Sequence, residues 1–480
     1  MATTYKTPGV YVEEIPKFPP SVAPVATAIP AFIGYTEKAV ALVADDLLLT
    51  PKRIESLVEF EQFFGGPQPE SDITVTITET TVAAPGLPIG ITAAADLTEA
   101  ARSKHNLYYA LQLFYANGGK SAYVISVGPY KAVAGALDLA ELQAALDPLS
   151  KVDEPTLIVI PEAQWLPIDD FATLQAAALQ QCADLQDRFV IMDVHGDDIS
   201  LSDPAADLLQ AVANFRNANL GGALKYGAAY APNLDTVLDY AYDVATTTIA
   251  HQLDGAAGPN DGVNLDDLVA ANTQLSELAK GAIRGRPVKL PPSPAIAGVY
   301  AKVDAERGVW KAPANVGLVA VMRPTIEFSN VENDEMNVDP VAGKSVNAIR
   351  PFTGKGTLVW GARTLAGNDN EWRYVNVRRL FIFVEESVKK ATEQFTFEPN
   401  DANTWVKVQA MIENFLTTQW RDGALQGIKP EHAFYVSVGL GKTMTALDIL
   451  EGRMIVEIGM AAVRPAEFIV LRFSHKLAES

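Results

Sequence analysis

The chain has a single cysteine, Cys182, among 480 residues. No internal disulfide can form, and a reducing cytoplasm suits its assembly. Histidine is almost as scarce: five residues, scattered along the chain, leave little material for a His-rich metal centre. No apolar run approaches the ~20 residues of a membrane helix. The start, MATTYKTPGVYVEE, lacks the basic and apolar regions of a signal peptide. Positive charge is also in deficit, with 38 basic against 58 acidic side chains and a net charge of −20. That balance argues against nucleic acid, which calls for a basic stripe. The deficit is uneven: residues 1–300 hold 17 basic and 36 acidic side chains, and residues 301–480 hold 21 and 22. The asymmetry suggests one part bathed in solvent and another packed against partners, where like charges would repel. Against these absences stand 48% hydrophobic and 20% charged residues, a composition of folded domains with room for two or three cores.

One stretch suggests nucleotide chemistry. GLGKTMTALDILEG, residues 439–452, places a glycine, a lysine and a threonine after an apolar run. A phosphate-binding loop needs a further glycine five residues before Gly441, and Val436 stands there. A β-branched residue resists the positive φ of that turn, and the helix that follows is too brief to aim a dipole at a phosphate. We expect a turn between two strands, and no cofactor.

The first 30 residues contain Pro8, Pro16, Pro19, Pro20, Pro24 and Pro30. Between the first two, GVYVEEI alternates like a strand, and proline confines it to an edge. Twenty extended residues reach roughly 65 Å, against a radius of gyration of about 23 Å for a compact chain of this length, so this arm can leave its own molecule. From residue 101 helical and apolar runs alternate: helix 101–117, strand 121–127, helix 135–146, strand 156–161, helix 170–187, strand 188–194, helix 204–217, strand 225–231. This order implies a parallel α/β sheet. At the carboxyl ends of its strands lie Glu162, Asp193 and His195. The last two could pair as acid and base, but no nucleophile or third orienting group is nearby in sequence, and a capped turn is expected. Residues 232–300 read as loop-rich, with NDGVNLDD (260–267) a solvated turn and PVKLPPSP (287–294) a linker. Residues 373–395 begin as a strand and become a helix. Residues 404–421 form a second amphipathic helix, capped by Asn403 or Thr404 and closed by Gly423. FIVLRF (468–473), introduced by Pro465, reads as another edge strand. Extended strands at both ends carry hydrogen-bonding edges that a monomer should avoid.

Several stretches resemble the tail sheath protein family of contractile phage tails and related contractile injection systems. They are TPGVYVEEI (7–15), YALQLFYANGGKSAYVISV (109–127), SPAIAGVYAKVDAERGVWKAPAN (293–315), NAIRPFTGKGTLVWGARTL (347–365), WRYVNVRRLFIFVEESV (372–388), FTFEPND (395–401), TMTALDILEGRMIVEIG (443–459) and PAEFIVLRF (465–473). The family often carries a Cys-Asp pair where this chain has Leu440-Gly441-Lys442, and residues 40–100 and 232–290 fit no family pattern. The resemblance implies a multi-domain α/β and α+β chain with an N-terminal arm (1–25), a small variable domain or insertion (26–100), a parallel α/β outer domain (101–295), a sheath core domain (296–464) and a C-terminal arm strand (465–480). It implies a structural subunit without catalytic, cofactor or metal residues. Such a subunit polymerises helically in six-fold rings and contracts to drive an inner tube into a target envelope. The implied partners are other copies, paralogous sheath subunits, the inner tube, baseplate and tail terminator or cap proteins, with no nucleic acid and no membrane insertion. Assembly would be cytoplasmic, and action would be in a phage tail or an extracellular or cell-anchored particle. Intersubunit arm contacts are expected at Val10, Tyr11, Val12 and Glu13, and at Phe468, Ile469, Val470 and Leu471. Trp310, Trp360 and Trp372 are expected as lattice or core anchors. Arg363, Arg373, Arg378 and Arg379 are expected to grip carboxylates within or between subunits. Lys407, Glu413 and Arg421 mark a tube-facing helix.

Overall fold

The computed structural model describes residues 22–81, 89–98, 101–132, 135–195 and 204–472. Val10, Tyr11, Val12 and Glu13 lie outside the described residues. The chain divides into two units: Ala26–Phe383 with the segment from Arg464, and Val384–Val463 with the chain up to Val25.

The larger unit is built on a nine-stranded sheet in the order Val316–Gly317, Gly356–Val359, Val346–Phe352, Gly227–Ala231, Phe189–Asp193, Leu157–Val159, Pro30–Thr36, Ala122–Pro129, Lys52–Ile54. The six strands from Val346–Phe352 to Ala122–Pro129 run parallel, and the strands at either edge are antiparallel. Parallel strands are covered on both faces and read as continuous apolar runs. PAFIGYT, LIV, FVIMD and GAAYA are accordingly buried throughout. The parallel α/β sheet expected from the alternating pattern is present, but it does not end at residues 101 and 295. Pro30–Thr36 lies between Leu157–Val159 and Ala122–Pro129, and Val346–Phe352 continues the parallel run. The expected borders at 100/101 and 295/296 therefore cut through one sheet. Chain order concealed this, because a central strand emerges directly from the proline-rich stretch and pairs with partners about a hundred residues away.

Helix Ser293–Arg307 packs against helix Leu107–Ala116. A Cβ on Gly298 would meet the Phe114 carbonyl at 2.6 Å and the Asn117 Cβ at 2.8 Å, so only glycine permits this approach. The segment 232–300, expected as loop, is well structured. Thr248–Leu253 joins Thr74–Thr80, Gly90–Asp96 and Ala256–Ala257 in a four-stranded sheet, with helices Leu265–Ala271 and Thr273–Arg284 beyond it. NDGVNLDD is not a free turn. Asp261 accepts the His251 N–H, Gly262 donates to the Ile249 carbonyl, and Leu265 is buried. Its polar composition resembles a loop because these bonds, through the Asp261 carboxylate and the Gly262 and Val263 backbone, leave no periodic pattern.

In the smaller unit, helix Ala402–Arg421 turns Val408, Met411, Ile412, Phe415 and Leu416 inward. It packs on strand Phe434–Val438, which pairs antiparallel with Val456–Met460. Its cap is Asp401, accepting from the Asn403 and Thr404 amides, rather than either of those residues. A carboxylate there also favours the positive end of the helix dipole. Residues 373–374 are not a strand: Tyr374 makes one isolated bridge to Arg363, and helix Val375–Thr392 starts at once. Residues 464–472 belong to no strand.

Candidate functional site

The GLGKT stretch is a closed turn. The amides of Lys442, Thr443 and Met444 all donate to the Gly439 carbonyl, at 3.2, 3.1 and 3.2 Å. Thr443 donates its hydroxyl to the Ile455 carbonyl. The amides of Lys442, Thr443 and Met444 are thus engaged within the turn and the Thr443 hydroxyl by the following segment, and Val436 sits mid-strand opposite Ile458.

Asp193 and His195 do not share a proton. Asp193 accepts the Ser293 amide at 2.7 Å and its hydroxyl at 2.5 Å, tethering the first turn of helix Ser293–Arg307. His195 Nε2 lies 2.6 Å from the Leu166 carbonyl, which requires the Nε2–H tautomer. Glu162 is fully buried, accepts the Tyr35 amide at 3.1 Å, and faces His105 Nδ1 at 3.8 Å. His105 Nε2 accepts the Lys131 amide, so its proton rests on Nδ1.

The expected arm and anchor residues concentrate elsewhere. Phe468, Ile469, Val470 and Leu471 are four consecutive apolar side chains, each 70–78% exposed. Directly before them Glu467 is held in place. Arg363 grips it bidentately, Nε to Oε1 at 2.9 Å and Nη2 to Oε2 at 2.7 Å. Asn337 Nδ2 donates to Oε1 at 2.8 Å and the Tyr374 hydroxyl to Oε2 at 3.1 Å. Burial pushes this carboxyl's pKa up, but the donors outweigh it and hold the value below the usual glutamate range. Arg363 is itself buried, and its amide donates to Asn347 Oδ1. Of the expected arginine grips, Arg379 also takes a carboxylate, that of Asp304, with the Thr27 carbonyl beside it and the Tyr300 ring below. Arg378 lies over the Tyr226 and Trp372 rings. Arg373 binds the Gly367 carbonyl and Asn370.

Trp372 is half-buried, edge-on to Phe381, and Trp310 is half-buried. Trp360 is exposed on its hairpin with Phe352 4.4 Å away. On helix Ala402–Arg421, Lys407 and Arg421 are exposed, and Glu413 is half-buried and bonded to Gln409. The sequence reading singled out Arg363 but missed Glu467, Asn337 and Tyr374, because the ion pair closes over 104 residues. One available signal was a lone acid between Pro465 and an apolar run.

Residues 367–476 match the family model of the phage tail sheath C-terminal domain. The chain is 31% identical, with a TM-score of 0.62, to a chain in the contracted helical sheath of the anti-feeding prophage, covering 98% of this chain and 100% of that one. It is 28% identical, with a TM-score of 0.64, to a chain in the contracted sheath complex of the extracellular contractile injection system PVC, covering 99% of each. The tail sheath protein of Burkholderia phage BcepMu is 27% identical over 194 residues, a stretch taking in 38% of this chain and 39% of that relative's length.

Proposed function

This chain belongs to the contractile tail sheath family, and from that premise we propose that it is the repeating wall subunit of a contractile tube. Copies polymerise helically around an inner tube, in six-fold rings. On a baseplate signal the wall shortens and drives the tube into a target envelope. Baseplate, tail terminator and inner tube proteins are its partners, and it needs no catalytic step. Assembly is cytoplasmic, and the finished particle acts as a phage tail or an extracellular or cell-anchored device. The full-length likeness to sheath chains supports this reading, as does the six-fold symmetrisation of a related baseplate that contains a matching chain.

The observation that carries it is the run Phe468–Leu471, an exposed apolar segment with no strand partner among the described residues, which follows directly on a fixed point at Glu467. A single soluble subunit gains nothing from such a segment, and an exposed strand edge invites pairing with another chain. An added strand draws on backbone hydrogen bonds and seats alternate side chains in pockets. Contacts of this head-to-tail type do not close and generate helical tubes. Residues 7–15 act as the corresponding arm at the other end of the chain, and Trp360 and the outer face of helix Ala402–Arg421 contact lattice neighbours and the inner tube. Electron microscopy of the purified chain, alone and with its tube protein, tests the reading. Hollow helical walls are expected, and a dispersed monomer under all conditions with the tube protein present would overturn it.

A further inference from the structure

We propose that Arg363, Asn337 and Tyr374 form a carboxylate socket that moors the root of the C-terminal segment, so that a pull on Phe468–Leu471 is delivered through Glu467 to the nine-stranded sheet. The inference rests on the sheath reading and names a positioning residue within it.

Glu467 receives five side-chain bonds from three residues, three of them from Arg363. Such saturation is unusual for a side chain at the edge of a segment whose next four residues are exposed. Two of the bonds form a parallel fork from one guanidinium, the geometry that gives direction as well as strength. The load path continues inward. The Arg363 amide donates to Asn347 Oδ1 at 2.7 Å, and Asn347 Nδ2 donates to the Ala229 and Arg363 carbonyls at 3.1 and 2.8 Å. Asn347 and Ala229 lie on adjacent parallel strands, Val346–Phe352 and Gly227–Ala231. A Cβ on Gly361 would sit 2.7 Å from Asn347 Oδ1, so glycine there leaves that bridge its room. Order is therefore fixed up to Glu467, and the segment beyond it is free to take a partner's strand geometry. If the segment were merely loose there would be no reason to bury an arginine to hold its first residue.

The test uses the full chain with Glu467→Gln, which keeps shape and removes charge, and Tyr374→Phe, which removes one peripheral hydroxyl. A nitroxide is placed on an Ala466→Cys background. Ala466 is exposed, and buried Cys182 is not labelled. With Glu467 intact the label should show a dominant slow-motion component. Glu467→Gln should weaken the grip by about tenfold or more, the loss expected when charge-assisted bonds become neutral ones, and shift the label to fast motion. The thermal midpoint should stay within a few degrees. Sheaths of the unlabelled variant should assemble but break into short pieces on contraction. An unchanged line shape together with intact contracted sheaths would overturn the mooring. If Glu467→Gln fails to fold, Tyr374→Phe decides by the same line shape and sheath criteria, with a smaller shift expected. If the unaltered chain forms no tube, the sheath reading falls, and the label alone still decides whether the socket holds.

Discussion

Glu467 is ionised at neutral pH because Arg363, Asn337 and Tyr374 more than offset the burial that opposes its charge. Its folded pKa lies below that of a free glutamate, near 4.3. A lowered carboxyl stabilises fully above the unfolded value and loses that contribution as pH falls through the folded one. We expect the label at position 466 to loosen on acidification below about pH 4, and Glu467→Gln to show no such transition in that window. Lys442 belongs to a turn whose amides are already engaged. Lys442→Ala should leave stability within about ±0.5 kcal/mol and leave tube formation unchanged. ATP hydrolysis that disappears in the mutant would contradict this. Gly298 is the opposite case: Gly298→Ala forces a Cβ against the Phe114 backbone. It should cost about 1–3 kcal/mol in urea denaturation.

Among elements, helix Ser293–Arg307 illustrates what the sequence could and could not reveal. Its row of small residues fits close packing on Leu107–Ala116, yet nothing in that row predicts that its first turn is held by Asp193, a hundred residues earlier. The parallel strands between 122 and 231 were legible because continuous apolar runs alternate with helices. Pro30–Thr36 was not, since seven residues after a proline carry no period that separates a central strand from an arm. The four-stranded sheet is not legible because Thr74–Thr80 and Gly90–Asp96 are rich in threonine and alanine and expose one face. Of the site, the cations were legible but their partners were not, because an ion pair between distant positions leaves no spacing to read. Two outcomes follow at this scale. Asp304→Ala strands Arg379 in a nearly solvent-free position. The loss should be about 3–5 kcal/mol by urea denaturation. Deleting residues 260–267 removes the bonds that Gly262 and Val263 make with Ile249 beside strand Thr248–Leu253, and the start of helix Leu265–Ala271. Limited proteolysis should then open the 242–290 region while the nine-stranded sheet stays intact.

For the whole molecule the question is what the ends contribute. A strand of five or six residues forms about four to six backbone bonds of roughly 0.5–1.5 kcal/mol each, against ordering costs of ~1–2 kcal/mol per residue. Backbone pairing alone is therefore marginal, and side chains such as Phe468 and Val470 must add about 1.5–3 kcal/mol each on burial. Removing residues 468–480 should leave a folded chain, since Phe468–Leu471 are exposed and make no part of either unit's interior. We expect circular dichroism and thermal midpoint like the intact chain, with no long sheaths by microscopy. Removing residues 1–16 should give the same result, and normal contractile sheaths from either truncation would refute the arm reading.

The exposure of Phe468–Leu471 also sets a temperature dependence. Burying apolar side chains near 25 °C is driven by entropy, and the driving force fades on cooling. Joints seated by alternate side chains of this run should therefore loosen in the cold. Calorimetry of subunit association should show a negative heat capacity change, and chilled preparations should hold more free subunits than warm ones. Because each joint is repeated along the wall, a small change per joint becomes a sharp threshold in tube length, so that a few degrees separate long tubes from scattered subunits.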